Sequence, residues 1–263
     1  MDLGLKDKRA LVIGASRGLA YATALQLAKE GCKVAINSRD EAKVKTAAEK
    51  IAEETGASVT GLAGDVSDPS VPAKLVEQAV QFLGGLDVLV TNAGGPPAGP
   101  FDSFDEATWE KAVNLSFMSH VRLIRAALPY LRKSSAASVL TMTSYTVKQP
   151  LPNLVLSNSI RSATVGLTKT LALELGGAGI RFNSILPATI DTDRIRELAG
   201  FRAQKNGTTL EQELALDAQK SVLGRVGRPE EFANAAVFLL SPAASYLTGV
   251  MLTVDGGQYK STF

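Results

Sequence analysis

A run suited to phosphate, Gly14-Ala15-Ser16-Arg17-Gly18-Leu19-Ala20, follows the apolar stretch Ala10-Leu11-Val12-Ile13. A strand, a glycine-bearing turn and a helix start, in that order, let backbone approach a pyrophosphate and set its charge on the helix N-terminus. Gly14, Ser16, Arg17, Gly18 and Leu19 are therefore candidate cofactor contacts. The next strand-like run ends in Asn37-Ser38-Arg39, with no carboxylate to take an adenosine ribose 2′-hydroxyl. Ser38 and Arg39, with Arg17 from the turn, suit a 2′-phosphate instead, because guanidinium forks match phosphate geometry. That points to NADPH rather than NADH. The competing reading makes these surface arginines paired with Asp40 or Glu41.

Other chemistries are poorly provided for. His120 is the only histidine, which argues against a Ser-His-Asp triad and a histidine-rich metal site, and Cys32 stands alone, so neither a disulfide framework nor a Cys-based zinc site is expected. No metal is expected. Both residues read as packing residues. A net charge of +2 without a basic block gives no reason to expect nucleic acid or an anionic membrane. No apolar run approaches a membrane span, and the first residues lack a signal-peptide core, so a reducing cytoplasm is the expected setting.

The elements that must position these residues alternate along the chain. Short β-branched runs occupy 10–13, 33–37, 58–63, 88–91, 138–142, 180–186 and 251–254. Helical patterns occupy 19–30, 41–54, 71–82, 114–132, 159–175 and 230–240. Such alternation predicts an α/β chain: one doubly wound Rossmann domain over 1–263, with a seven-stranded parallel sheet and helices on both faces. A polar helical insertion near 193–221, carrying Gly200 and Gly207, is the segment expected to move. The breaker-rich stretch 94–100 follows a strand end and reads as a rigid pocket rim. Trp109 and Phe117 read as core or subunit interface.

Taken together, these residues resemble the short-chain dehydrogenase/reductase family, nearly end to end. Gly14 to Ala20 looks like its glycine turn, Asp65-Val66 its adenine contact, and Asn92-Ala93-Gly94 its fourth-strand motif. Asn114 matches the helix asparagine and Ser144 the substrate-side serine. Pro187 followed by Thr192 resembles the loop that holds the nicotinamide carboxamide. The segments Gly227-Arg228-Pro229-Glu230, 244–249 and Val254-Asp255-Gly256-Gly257 are also family-like. The branch most resembled is the 3-oxoacyl-acyl-carrier-protein reductase type. Three positions depart from the pattern: Ile13 stands for a threonine, and Ala20 and Ala188 stand for glycines.

The resemblance implies a tyrosine acid and, one turn later, a lysine that lowers its pKa and holds the nicotinamide ribose. Here those positions read Ser157 and Arg161. The run from Ala163 to Ala172 then aligns without a gap, so the register stands. A serine hydroxyl is a poorer acid than a phenol and ends closer to the backbone. Arg161 keeps a fixed charge able to bind ribose hydroxyls, or else pairs structurally with a carboxylate. Tyr145 and Lys148, beside Ser144, are further possible proton donors. The expectation is NADPH-dependent reduction of a ketone or 3-oxoacyl substrate to an alcohol. Ser144 would polarise the carbonyl, Asn114 would hold a relay water, and the proton donor would be atypical. The alternative is a catalytically impaired nucleotide-binding or regulatory protein on the same scaffold. The resemblance also implies a homotetramer contacting through 114–132, 159–175 and 251–263.

Overall fold

Ala10 and Val12 of β1 (Arg9–Val12) face one hydrophobic core, and Leu11 and Ile13 face another. Strand side chains alternate sides, so a strand that is apolar throughout must be covered on both faces. In this computed structural model, which describes residues 1–262, six more strands follow. They are β2 (Lys33–Ser38), β3 (Val59–Ala63), β4 (Val88–Thr91), β5 (Ser138–Met142), β6 (Arg181–Pro187) and β7 (Met251–Val254). The sheet order is β3-β2-β1-β4-β5-β6-β7, and every pairing is parallel. The strand order reverses between β1 and β4. A crevice therefore opens beyond their carboxyl ends, where a doubly wound sheet takes its ligand.

Parallel pairing requires crossovers, and helices supply them. On one face α1 (Gly18–Lys29) and α2 (Glu41–Thr55) contribute Leu27, Val44 and Ile51 to the core. On the other, α3 (Val71–Leu83) contributes Leu75 and Val76. The helix expected over 114–132 is longer and interrupted. It begins as α4 (Glu106–Val113), passes through a π-helical turn at Asn114–Met118, and continues as α5 (Ser119–Leu131). Asp105 caps α4, accepting from the Thr108 amide at 2.9 Å; this start signal lay outside the expected range. The helix expected over 159–175 starts earlier, as α6 (Val155–Leu175).

The insertion 193–221 is a hairpin of two helices, α7 (Asp193–Asn206) and α8 (Leu210–Gln219). Gly200 lies inside α7, and Gly207 ends it at φ +67°, a left-handed conformation that favours glycine. The hairpin is pinned from within. Arg202 donates to Glu213 at 3.0 Å and to Asp217 at 2.5 Å, and both carboxylates are buried. The last helix, α9 (Pro229–Leu240), packs Phe232 and Val237 into the same core as α1.

Candidate active site

The crevice is walled by residues that follow the two central strands. Gly14 has φ +68°, and a Cβ there would lie 2.8 Å from Asn92 Nδ2, so only glycine lets the turn close against Asn92. Gly18, also at φ +68°, faces the Thr192 methyl across 4.0 Å from its Cβ position. Thr192 caps α7 by accepting from the Ile195 amide at 3.4 Å. The glycine turn, Asn92 and the Pro187–Thr192 segment, widely separated in sequence, thus meet around one cleft. Ala20, at the departing glycine position, is buried in the core under α1.

At the outer end of the cleft, Ser38 is nearly buried and donates to the Asp40 carbonyl at 3.1 Å. Arg39 is exposed, with Asp65 4.0 Å away, and Arg17 is exposed, with Glu197 at 3.2 Å and Asp193 at 3.9 Å. Neither arginine pairs with Asp40 or Glu41. Asp40 instead caps α2 and pairs with Lys43 at 3.3 Å. Exposed pairs of this kind contribute about 0–1 kcal/mol, so a phosphate can displace them. A cavity of about 540 Å³ lies beside Ser16, Arg17 and Gly18 and is also lined by Lys43 and Lys50. Asp65 accepts from the Ser67 amide at 2.9 Å and hydroxyl at 2.7 Å, which fixes the loop that carries Val66.

At the inner end, Ser144 sits where β5 gives way to a short turn. Its Oγ accepts from the Thr146 amide at 3.3 Å and from the Thr146 hydroxyl at 3.1 Å. With those two bonds accepted, the Ser144 O–H remains a donor for a substrate oxygen. On α6, Ser157 and Arg161 lie one turn apart. Arg161 Nε donates to Ser157 Oγ at 3.2 Å, and Nη1 donates to the carbonyls of Thr143 at 3.3 Å and Met142 at 3.5 Å. No carboxylate forms an ion pair with Arg161 among the described residues. Burial pushes its pKa down to about 10, which still leaves it charged at neutral pH.

Three of the candidate side chains are engaged in contacts of their own. Asn114 is not a free amide: Nδ2 donates to the Ser67 carbonyl at 2.7 Å, and Oδ1 accepts from Arg122 at 2.6 Å. Its own carbonyl accepts from the Ser119 amide, which is the π-type bond of the turn. Tyr145 is buried and its hydroxyl accepts from Gln258 at 2.9 Å. Burial, then Asp217 and Asp255, hold its pKa above the ordinary phenol value, against a role as acid. Lys148 Nζ stands 5.2 Å from the centre of the Tyr259 ring. Arg122, Ser67 and Gln258 act through hydrogen bonds to residues 8, 47 and 113 positions away, which no local motif announces.

His120 and Cys32 are packing residues, as their sequence context predicts. His120 is buried, with Nδ1 2.8 Å from the Thr91 hydroxyl; burial, then the Arg161 charge, push its pKa down to about 3. Cys32 is buried and its thiol is pushed up to about 12, so it carries no reactive thiolate. The rim 94–100 is tied down where Gly99 N donates to the Asn153 carbonyl at 2.8 Å. Trp109 and Phe117 pack against a small cluster of Ala112, Leu156 and Ile160 beside the site.

The family model described as Enoyl-(Acyl carrier protein) reductase matches residues 14–259. Dehydrogenase/reductase SDR family member 4 of Oryctolagus cuniculus is 34% identical over 254 residues, covering 96% of this chain and 94% of that protein. The chain belongs to the short-chain dehydrogenase/reductase family. It is an oxidoreductase by that membership. Among solved short-chain dehydrogenase/reductase structures, L-sorbose reductase of Gluconobacter frateurii, complexed with NADPH and L-sorbose, superposes with a TM-score of 0.95 at 32% identity, over 99% of this chain and 100% of that one. A short-chain oxidoreductase of Pseudomonas aeruginosa PAO1, NADPH-bound and containing an atypical catalytic centre, superposes with a TM-score of 0.87 at 29% identity, over 98% of this chain and 99% of that one. Among the described residues no helix is long and apolar enough to cross a membrane.

Proposed function

We propose that the protein is an NADPH-dependent reductase that converts a ketone or 3-oxoacyl carbonyl to an alcohol, with Ser157 and Arg161 in place of the family's tyrosine and lysine. The observation that carries this reading is the hydrogen-bonded array at the inner end of the cleft. Arg161 binds Ser157 Oγ and the carbonyl of Thr143, the residue next to Ser144. A fixed cation, a hydroxyl it polarises and a free serine donor are thereby gathered beside the β5 end. The NADPH-bound relatives, one with an atypical catalytic centre, support the same reading.

The residues present fit the cofactor, because the turn at Gly14 leaves a cradle that a Cβ would close against Asn92. Gly14, Ser16, Gly18 and Leu19 would hold the pyrophosphate. Arg17, Ser38 and Arg39 would hold the 2′-phosphate, Asp65, Val66, Asn92, Ala93 and Gly94 the adenosine side, and Pro187 and Thr192 the carboxamide. NADPH supplies a hydride when bound. Arg161 would hold the nicotinamide ribose.

Ser144 donates to the substrate carbonyl oxygen and stabilises the charge that gathers there, an effect worth about 2.7–4 kcal/mol per preorganised donor. Ser157 accepts from Arg161 Nε, so its own O–H is free to pass a proton to that oxygen. Water entering the cleft restores it. A guanidinium bonded to the serine oxygen stabilises the alkoxide-like charge of the transfer, and this offsets part of the acidity lost with a phenol. Asn114, clamped by Ser67 and Arg122, fixes the π-helical turn rather than presenting its amide to a water.

We read residues 1–263 as one dinucleotide-binding domain with the helical hairpin near 193–221 at the substrate mouth, working as a cytoplasmic homotetramer. Exposed Leu173 on α6, and Tyr246 and Met251 beside and on the edge strand, suit contacts with other copies of the chain; Phe263, in the proposed C-terminal contact, lies outside the described residues. The test of function is NADPH oxidation across ketones and 3-oxoacyl thioesters, with NADPH binding measured in parallel. Turnover supports the reductase, and binding without turnover on any substrate returns the impaired binding-protein reading.

A further inference from the structure

The Arg161 guanidinium carries five N–H bonds. Nε is taken by Ser157 and Nη1 by two backbone carbonyls, those of Thr143 and Met142. Nη2 makes no hydrogen bond to the protein among the described residues. It lies on the side of the pocket rim, 3.9 Å from the position of a Cβ on Gly95. Every acceptor that Arg161 finds is neutral. Arg161 is half-buried, and withdrawing a cation even in part from water without a counter-charge is costly, which neutral acceptors offset only in part. Its positive field reaches His120, which it helps keep neutral. Lys148, the cation of the Ser144 loop, is stacked on Tyr259.

We propose that the substrate carries a carboxylate beside its reacting carbonyl, and that the open Nη2 edge of Arg161 receives it. This rests on the reading that Ser144 faces the carbonyl. Arg161 bonds the carbonyl of Thr143, the neighbour of Ser144, so anion and reacting carbon sit close together. The class is then a 2-oxo or 3-oxo acid, rather than a ketone with a remote charge. One Nη2 hydrogen serves the ribose and the other serves the carboxylate. Neutral isosteres leave that second hydrogen and the uncompensated charge without a matching partner, which is how a site built for a polar group rejects an analogue.

The test compares 3-oxobutanoate with 3-oxobutanamide, and 2-oxobutanoate with 2-oxobutanamide, as substrates of the full chain with NADPH. Each acid should exceed its amide in kcat/KM by about tenfold or more, as expected for one hydrogen bond to a charged group. In Arg161→Gln the ratio should fall toward one, whatever the absolute rate. Equal rates for acid and amide in the unmodified protein overturn the inference and leave the reductase standing. A second readout needs no turnover: calorimetric titration of the NADP⁺ complex with 3-hydroxybutanoate and 3-hydroxybutanamide. If none of these four compounds, and no ketone or 3-oxoacyl thioester, is reduced, the proposed function fails. The titration still decides this inference: selective binding of the acid supports it, and indifference overturns it.

Discussion

Arg161 donates through Nε to Ser157 Oγ at 3.2 Å, so a half-buried cation holds a serine hydroxyl one helical turn before it on α6. The pair is not a carboxylate-bound structural arginine with a bystander serine. Hydrogen bonds from a guanidinium are stronger than neutral ones and favour negative character on the acceptor. The catalytic account follows from that relationship.

Restoring the family pair is the first consequence. Ser157→Tyr with Arg161→Lys should raise ketone reduction by about a hundredfold to ten-thousandfold, the usual worth of a well-placed general acid. NADPH oxidation with a permissive ketone measures it. A lower rate in the double variant would show that the native pair is the better donor, or that the proton enters elsewhere.

Cofactor choice is the second. Exposed Arg17 and Arg39 are held only by weak ion pairs at 3.2–4.0 Å, ready to exchange carboxylates for a 2′-phosphate. NADPH should bind more tightly than NADH, with the margin shrinking as salt rises. Ser38→Asp with Arg39→Leu should invert the order. Fluorescence titration reads both, and equal affinities in the unmodified protein would contradict the assignment.

The pH dependence of stability isolates His120. Its folded pKa is depressed from 6.5 to about 3, so the fold favours the neutral ring. The associated stability is fully present above pH 6.5 and is lost as pH falls toward 3. From pH 6.5 to about 5 the loss should be about 2 kcal/mol, at about 1.4 kcal/mol per pH unit. Carboxylates with lowered values, such as Glu231 at about 2 beside Arg225, withdraw their contribution only below their ordinary value of 4.5. Urea unfolding of His120→Gln should be flat across the upper window, and a slope equal to that of the parent would refute the assignment.

Assembly is the fourth. Light scattering at micromolar concentration should give four copies of a 27.6 kDa chain. A stable monomer would remove the tetramer from the account.

Much of this architecture was legible in the chain. Strands such as 88–91 and 138–142 coincide with β4 and β5, because β-branched runs buried on both faces leave little choice. Gly14 and Gly18 marked the nucleotide turn, since both need positive φ. What stayed hidden depends on tertiary partners. The π-helical turn at Asn114 reads as ordinary helix in sequence. Tyr145 looks available until Gln258, 113 residues away, binds its hydroxyl. Glu213 and Asp217 look like solvent-facing helix residues until Arg202 from α7 draws them inward. Hydrogen bonds of this reach leave no periodic trace.

The most direct test of the central claim follows hydride and cofactor together. The unmodified protein is mixed with NADPH carrying deuterium at C4 and a ketone substrate, and the product alcohol is analysed for deuterium at the former carbonyl carbon. The account predicts catalytic deuterium transfer from one face of the nicotinamide, diminished in Ser144→Ala and in Arg161→Gln. Tight NADPH binding with no deuterium in any product, across acids, amides and thioesters, would contradict it.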